Sequence, residues 1–275
     1  MQGYDRLLIS MTYEIADATF PINNELLLAR PKHENSMLTL DYEGERVHER
    51  ENINGVVLLA SYEKLNVNFF NAWSFEKFPL TQISTLFCFL DYQNKNSDSQ
   101  VIKLNDHNKD GSQDSFTGMD NEKYILSVLE NNSGRFMDII ISSMIYPGKD
   151  NLQNVFRFIR NMESYWIAYF LLSQVFNGDS DSDATKLYNA CKIYGVSESY
   201  FRKLCHNAFT CGPKKQLRMW RAAHSALQLI EKDKSIATIA GNNGYSSSSH
   251  FSSEIKSIFG ITPREFKKLE GLLHE

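Results

Sequence analysis

Between residues 184 and 275 the chain says nearly the same thing twice, and an internal repeat of this kind leaves few folds open. Leu187, Ala190, Cys191 and Gly195 are separated by three, one and four residues, and Ile236, Ile239, Ala240 and Gly244 reproduce those intervals 49 residues later. Phe201, Phe209 and Pro213 recur as Phe251, Phe259 and Pro263, now offset by 50 because the second turn has gained one residue. Apolar residues one turn apart bury a short helix, and the glycine after them permits the left-handed backbone of a tight turn. A second helix, anchored from within, follows each turn. Ser197 and Ser246 are placed to cap these second helices. Their apolar faces are Phe201, Leu204, Cys205, Ala208 and Phe209 in one copy and Phe251, Ile255, Ile258 and Phe259 in the other. The opposite faces carry Ser199, Arg202, Lys203 and His206, and Ser249, Ser252, Ser253 and Lys256. Such side chains donate to base edges or phosphates.

Between the copies, Lys214 to Glu231 repeats with helical period, Leu217, Trp220, Leu227 and Ile230 forming its apolar side. A helix of that length is roughly 27 Å long at 1.5 Å per residue, and successive major grooves on one face of B-DNA lie about 34 Å apart. Two units on one rod therefore suit duplex DNA, whereas the narrow major groove of A-form RNA does not admit a helix. Charge points the same way. From Ala184 onward 14 Lys and Arg stand against 7 Asp and Glu, a surplus of seven positive charges, while the first 183 residues carry 15 against 26, a deficit of eleven. A basic module follows an acidic one, which suggests a polyanion partner for the former.

Ahead of the repeat, strands are expected at Arg6–Ile15, Met37–Tyr42, Gly55–Tyr62 and Ile83–Tyr92, and an exposed polar loop from Asn94 to Asn121. Helical spacing follows at Glu122–Glu130, Arg135–Met144 and Leu152–Phe176. The fold class expected is an α+β N-terminal domain over 1–178, strand-rich to about residue 120 and helical over 122–176. An acidic linker at 179–183, the end of NGDSDSD, leads into an all-α C-terminal domain over 184–275 with two helix-turn-helix units joined by a long helix.

Other chemistries find little support. Asp106, Asn108, Asp110, Gly111 and Asp114 match the start of a calcium loop, but its twelfth position is Thr117 and the bidentate glutamate is missing. His33, His48 and His107 are scattered, and Cys88, Cys191, Cys205 and Cys211 contain no Cys-x2-Cys pair, so neither metal site nor disulfide framework is expected. Cys191 and Cys205 fall on apolar faces, where packing is their expected role. Neither a Gly-x-Ser-x-Gly turn nor a phosphate-cradling glycine loop with lysine occurs, and the expectation is a protein without catalytic residues or cofactor. The longest uncharged apolar stretch, Tyr165 to Phe176, has 12 residues, short of the roughly 20 that span a bilayer. Asp5 and Arg6 interrupt the place where a secretory signal needs its apolar core, so a location inside the cell is expected.

With these motifs the segment from Ala184 to Leu269 resembles the AraC/XylS family of bacterial transcription activators, most plainly in SIATIAGNNGYSSSSHFSSEIKSIFGITPREF at Ser235–Phe266. ESYWIAYFLLSQ at Glu163–Gln174, YGVSESYFRKLC at Tyr194–Cys205 and NNGYSSSSHFSSEIK at Asn242–Lys256 look like its InvF/MxiE-type regulators of type III secretion genes. The resemblance implies that Ser199, Arg202 and Lys203 enter one major groove and Ser248, Ser249 and Ser253 the other. Serines stand in the second helix where Gln or Arg is frequent in the family, which weakens direct readout and leaves phosphate contact or DNA shape to replace it. It also implies double-stranded promoter DNA and RNA polymerase as partners, a type III secretion chaperone as co-activator, and a cytoplasmic, nucleoid-associated location. The aromatic helix around Tyr165, Trp166, Tyr169 and Phe170 reads first as core and second as a homodimer or chaperone surface. Two alternatives remain for the N-terminal domain: a small-molecule sensor, as in sugar-responsive relatives, and, ranked last, an enzyme fused to a DNA reader, for which Cys88 would be the sole cysteine.

Overall fold

The computed structural model describes residues 12–42, 45–50, 55–97, 123–130, 134–145, 152–176, 183–209, 211–230 and 234–273. Two compact units divide the chain between Met162 and Glu163.

The N-terminal unit is built on a seven-stranded antiparallel sheet of β1 (Thr12–Ile22), β2 (Glu25–Pro31), β3 (Met37–Tyr42), β4 (Glu45–Arg50), β5 (Gly55–Ser61), β6 (Leu65–Pro79) and β7 (Tyr124–Glu130). Strand β6 is its spine. One edge of β6 pairs with β1 from Leu65 to Glu76, and the other pairs first with β3 and then with β2, giving the path β4-β3-β6-β2-β5-β7. Side chains alternating along the strands meet in a core of Leu27, Leu38, Leu40, Val57, Leu59, Val67, Phe69, Trp73 and Phe75, all buried. Helices α1 (Leu80–Ser97), α2 (Phe136–Ile145) and α3 (Gln153–Arg160) complete the unit. Phe78 of β6 stacks on Phe136 of α2 at 4.1 Å between ring centroids, Phe87 of α1 meets Phe156 of α3 edge-on at 5.1 Å, and Arg160 grips both carboxylate oxygens of Asp91 at 2.8 and 2.7 Å.

Several sequence expectations change here. Ile83–Tyr92 is helical: Leu80, Ile83, Ser84, Phe87 and Cys88 are buried together, which is a 3.6-residue rather than a two-residue period. Tyr124–Glu130 is a strand, held to β5 by a register running from Gly55–Glu130 to Ser61–Tyr124. The helix expected over Leu152–Phe176 breaks at Asn161 and Met162 into α3 and α4 (Glu163–Phe176). The expected Arg6–Ile15 strand is described only from Thr12, and the calcium-like loop at 106–117 lies outside the described residues.

The C-terminal unit is helical: α4 is followed by α5 (Asp183–Tyr194), α6 (Glu198–Ala208), α7 (Pro213–Ile230), α8 (Ile236–Asn242), α9 (Ser248–Phe259) and α10 (Pro263–Leu273). Helix α4, expected with the N-terminal domain, packs on α5, α6 and α7 instead. An aromatic ladder explains this, because Phe170 of α4 meets Tyr194 at the end of α5 at 5.2 Å and Tyr194 meets Phe201 of α6 at 5.6 Å. The Tyr194 hydroxyl also donates to the Glu163 carboxylate at 3.2 Å. In α7 Leu217 and Trp220 are buried as expected, but Leu227 is 36% exposed. Small residues take its place: Ala222, Ser225 and Ala226 are buried with Leu229, which lets neighbouring helices come close to the rod. Among the described residues no helix is long and apolar enough to cross a membrane.

Candidate nucleic-acid interface

Helices α5 and α6 form one tightly turned helix pair and α8 and α9 another, and the turns of these two elements close by the same hydrogen bonds. Gly195 has φ +84° and Gly244 φ +71°, in the left-handed region that favours glycine. The residue after each glycine donates its backbone N–H five residues back, Val196 to Cys191 O at 3.1 Å and Tyr245 to Ala240 O at 3.0 Å, which satisfies a carbonyl that the ending helix leaves open. The second helix then starts on a serine. Ser197 Oγ accepts from Tyr200 N at 3.3 Å, and Ser247 Oγ accepts from His250 N at 3.1 Å. Ser247, not Ser246, caps α9, because the extra residue of the second turn lies ahead of the cap. Ser246 Oγ instead shares a proton with His250 Nδ1 at 3.1 Å.

The inner faces hold the two elements shut. Phe201, Leu204, Cys205, Ala208 and Phe209 are buried, and Phe209 meets Trp220 of α7 edge-on at 5.6 Å. Burial pushes the Cys205 thiol up to about 12, so it is an inert packing group at neutral pH. In the second element Ile239, Ala240, Tyr245, Phe251 and Ile255 pack with Ala222 and Leu229 of α7, while Ile258 and Phe259 are partly buried at the margin.

The outer faces are where the expected site residues fall. On α6 Ser199, Lys203 and His206 are exposed and Arg202 is half-buried. Arg202 donates from Nε and Nη2 to Glu198 Oε1 at 2.9 and 2.5 Å, an i,i+4 pair on the same face. The guanidinium is thus held along the helix by its inner edge, and no described residue bonds Nη1. On α9 Ser248, Ser249, Ser253 and Lys256 are exposed and Ser252 is half-buried. Each set occupies a single helical face.

A buried charge lies behind the second face, and the sequence reading missed it. Glu254 of α9 is 4% exposed. Its Oε1 accepts from the Tyr245 hydroxyl at 3.1 Å and lies 3.7 Å from Arg221 Nη2; its Oε2 accepts from Arg218 Nε at 2.6 Å and lies 4.0 Å from His250 Nε2. Burial, followed by the adjacent carboxylate, raises the Tyr245 hydroxyl well above its ordinary pKa, which keeps it a donor. A second polar chain runs from His224 of α7 through Gln228, 2.9 Å away, to Asn243, whose amide donates to Gln228 Oε1 and to Ile239 O at 2.8 Å each. Burial, with Lys234 adding repulsion, pushes His224 down to about 4, so this ring is neutral at pH 7. In a single sequence a lone glutamate beside Phe251 and Ile255 carries no sign of its partners 36 and 33 residues earlier.

Residues 190–269 match the family described as helix-turn-helix domain. The transcriptional regulator MxiE of Shigella flexneri is 33% identical over 142 residues, 52% of this chain and 66% of that protein. Invasion protein InvF of Salmonella typhi is 40% identical over 115 residues, 42% of this chain and 50% of that protein. The C-terminal unit carries an AraC-type helix-turn-helix domain. This AraC-type domain is homologous to the corresponding parts of both relatives, and the chain spans between half and about two thirds of their lengths. Among solved structures, ToxT from Vibrio cholerae O395 aligns over 94% of this chain and 96% of its own at 14% identity, with a TM-score of 0.38. No group of three or more His, Cys, Asp or Glu among the described residues is arranged to hold a metal ion.

Proposed function

We propose that the chain is a sequence-specific DNA-binding transcription activator of type III secretion genes, whose AraC-type domain reads promoter DNA through two helix-turn-helix units joined by α7. The observation that carries this reading is the equivalence of the two elements. Each has a positive-φ glycine, a five-back turn bond, a serine cap, a buried apolar face and an outer face of donors. In this reading Ser199, Arg202, Lys203 and His206 of α6 meet one major groove, and Ser248, Ser249, Ser252, Ser253 and Lys256 of α9 the next. The surplus of positive charge after residue 183 supplies the sequence-independent part of the affinity.

The acidic N-terminal unit receives the signal. The partners that fit are RNA polymerase and a type III secretion chaperone acting as co-activator, with a homodimer as a further arrangement; the setting is the bacterial cytoplasm at the nucleoid. Footprinting on a panel of type III secretion promoters tests the reading directly. Replacing Arg202 by Ala should cost about 1–3 kcal/mol on the correct promoter and relax preference at one base position. Unchanged footprints and affinities across the panel would reject the assigned face.

A second reading makes the seven-stranded sheet a small-molecule receptor, motivated by the strand-rich architecture of that unit. Thermal shift of the whole chain against metabolites and, separately, against a type III chaperone separates the two; stabilisation by the chaperone alone removes the metabolite reading.

A further inference from the structure

The second outer face is short of reach, because four of its five assigned residues are serines and Lys256 is its one cation, and the structure places a further cation beside it. Arg218 belongs to α7, not to α9, yet its Nε donates to Glu254 Oε2 at 2.6 Å and its side chain is 47% exposed. That bond is the only one Arg218 makes among the described residues, which leaves its two terminal nitrogens available to a ligand. At about 100° per residue, His250 lies between Ser253, at one margin of the exposed face, and the buried Glu254. His250 is half-exposed, and its Nε2 lies 4.0 Å from the Glu254 Oε2 that Arg218 binds. The rim of the α9 face on this side is therefore lined by Arg218, bonded to the buried carboxylate, and His250, 4.0 Å from it.

The two guanidiniums at Glu254 play different parts. Glu254 faces two guanidiniums, Arg218 and Arg221, and only Arg218 is substantially exposed. Arg221 is only 16% exposed and lies over the Tyr245 ring at 5.0 Å, so it is the inward, structural member. Arg218 is the outward member, fixed at its root by Nε and open at its tip, the geometry in which a guanidinium takes a phosphate oxygen with little further loss of freedom. We propose that Arg218 binds a DNA backbone phosphate at the edge of the second major groove, with Glu254 as the positioning residue that aims it. The contact fixes the register of α9 on the duplex, where the base-facing side chains are mostly short serines.

This rests on the DNA-binding reading above, and the test separates the two. The full chain is titrated with a fluorescent promoter duplex and with a duplex of unrelated sequence across a range of salt concentrations. Arg218→Ala should weaken binding to both duplexes by a similar factor and lower the slope of log affinity against log salt by about one. Arg218→Gln, which keeps an amide donor for Glu254 and so protects the fold, should lower the slope equally, while Arg218→Lys should retain most of it. Glu254→Gln should leave the slope high but blur the single protected phosphate seen by ethylation interference on the wild-type chain. If the Arg218 variants bind with wild-type slope while Arg202→Ala loses affinity, the phosphate contact is wrong and the DNA-binding reading stands. Wild-type protein that shows no salt-dependent affinity for either duplex overturns the DNA-binding reading itself.

Discussion

The two helix pairs, α5–α6 and α8–α9, share one backbone plan and spend their charges differently. In the first, the charged residues of α6 stand on the outer face, with Arg202 braced by Glu198 one turn before it. In the second, the outer face of α9 is mostly serine, and the charge is turned inward, where Glu254 binds the element to α7 through Arg218, Arg221 and Tyr245. A repeat can thus conserve turn geometry while moving its specificity from side-chain reach to rigid placement. The first element keeps its charges on the exposed face. The second uses its buried charge to hold a fixed orientation against α7.

The sharpest way to break that contrast is to remove the inward charge. Replacing Glu254 by Ala leaves Arg221 with little water and the Tyr245 hydroxyl without its acceptor, and breaking a buried pair from one side costs on the order of 3 kcal/mol. Replacing Glu198 by Ala removes an exposed i,i+4 pair, worth roughly 0.3–0.5 kcal/mol. Urea melts of both variants should differ several-fold in their loss of stability. Equal losses would mean that the second element is not organised around its buried carboxylate.

A pH titration gives the next largest effect, and it concerns the face of α7 that binds the second element through Gln228 and Asn243. Folding depresses His224 from 6.5 to about 4, so its contribution to stability is complete above pH 6.5 and is lost progressively as pH falls toward 4. In this window the unfolded chain takes up a proton that the folded chain refuses. Replacing His224 by Gln should flatten stability between those limits while keeping a hydrogen-bond partner for Gln228. A variant with the same pH profile as wild type would assign that acid sensitivity to another group.

How much of this was legible beforehand follows from the range of the interactions. The repeat could be read because apolar spacing, glycine turns and proline starts are local, and Gly195 and Gly244 do adopt positive φ. Strand β6 escaped notice because LNVNFFNAWSFEKFP mixes asparagine, aromatic and charged residues, and its strand state depends on β1, β2 and β3 pairing along both edges. In Tyr124–Glu130 the apolar residues at 125, 126, 128 and 129 fit either period, and only β5, nearly 70 residues away in sequence, decides between them. The run ISTLFCFL read as a strand because it is short and apolar, although its burial follows a helix. Likewise the donor faces of α6 and α9 were visible from periodicity, while the Glu254 cluster depends on arginines from another helix.

Where the two elements are built alike, matched variants should respond alike. A Cβ added at Gly195 or at Gly244 meets no atom within 4 Å, so substitution by Ala carries conformational strain alone, about 1–2 kcal/mol at each site. Differential scanning of the two variants should give similar shifts, and a loss at only one glycine would show that the turns are not equivalent.

The smallest effect tests the register difference between the copies. Removing the cap hydroxyl by Ser197→Ala or Ser247→Ala should cost about 1 kcal/mol each, since each loses the bond to its first-turn N–H. Ser246→Ala should cost much less, because its hydroxyl bonds an exposed His250 ring rather than a backbone donor of α9. The sequence alone puts Ser246 in the position corresponding to Ser197, so the three variants measured together decide which alignment of the copies is physical. If Ser246→Ala proved as costly as Ser197→Ala while Ser247→Ala did nothing, the extra residue of the second turn would lie after the cap, and the face of α9 assigned to DNA would rotate by one position, about 100°.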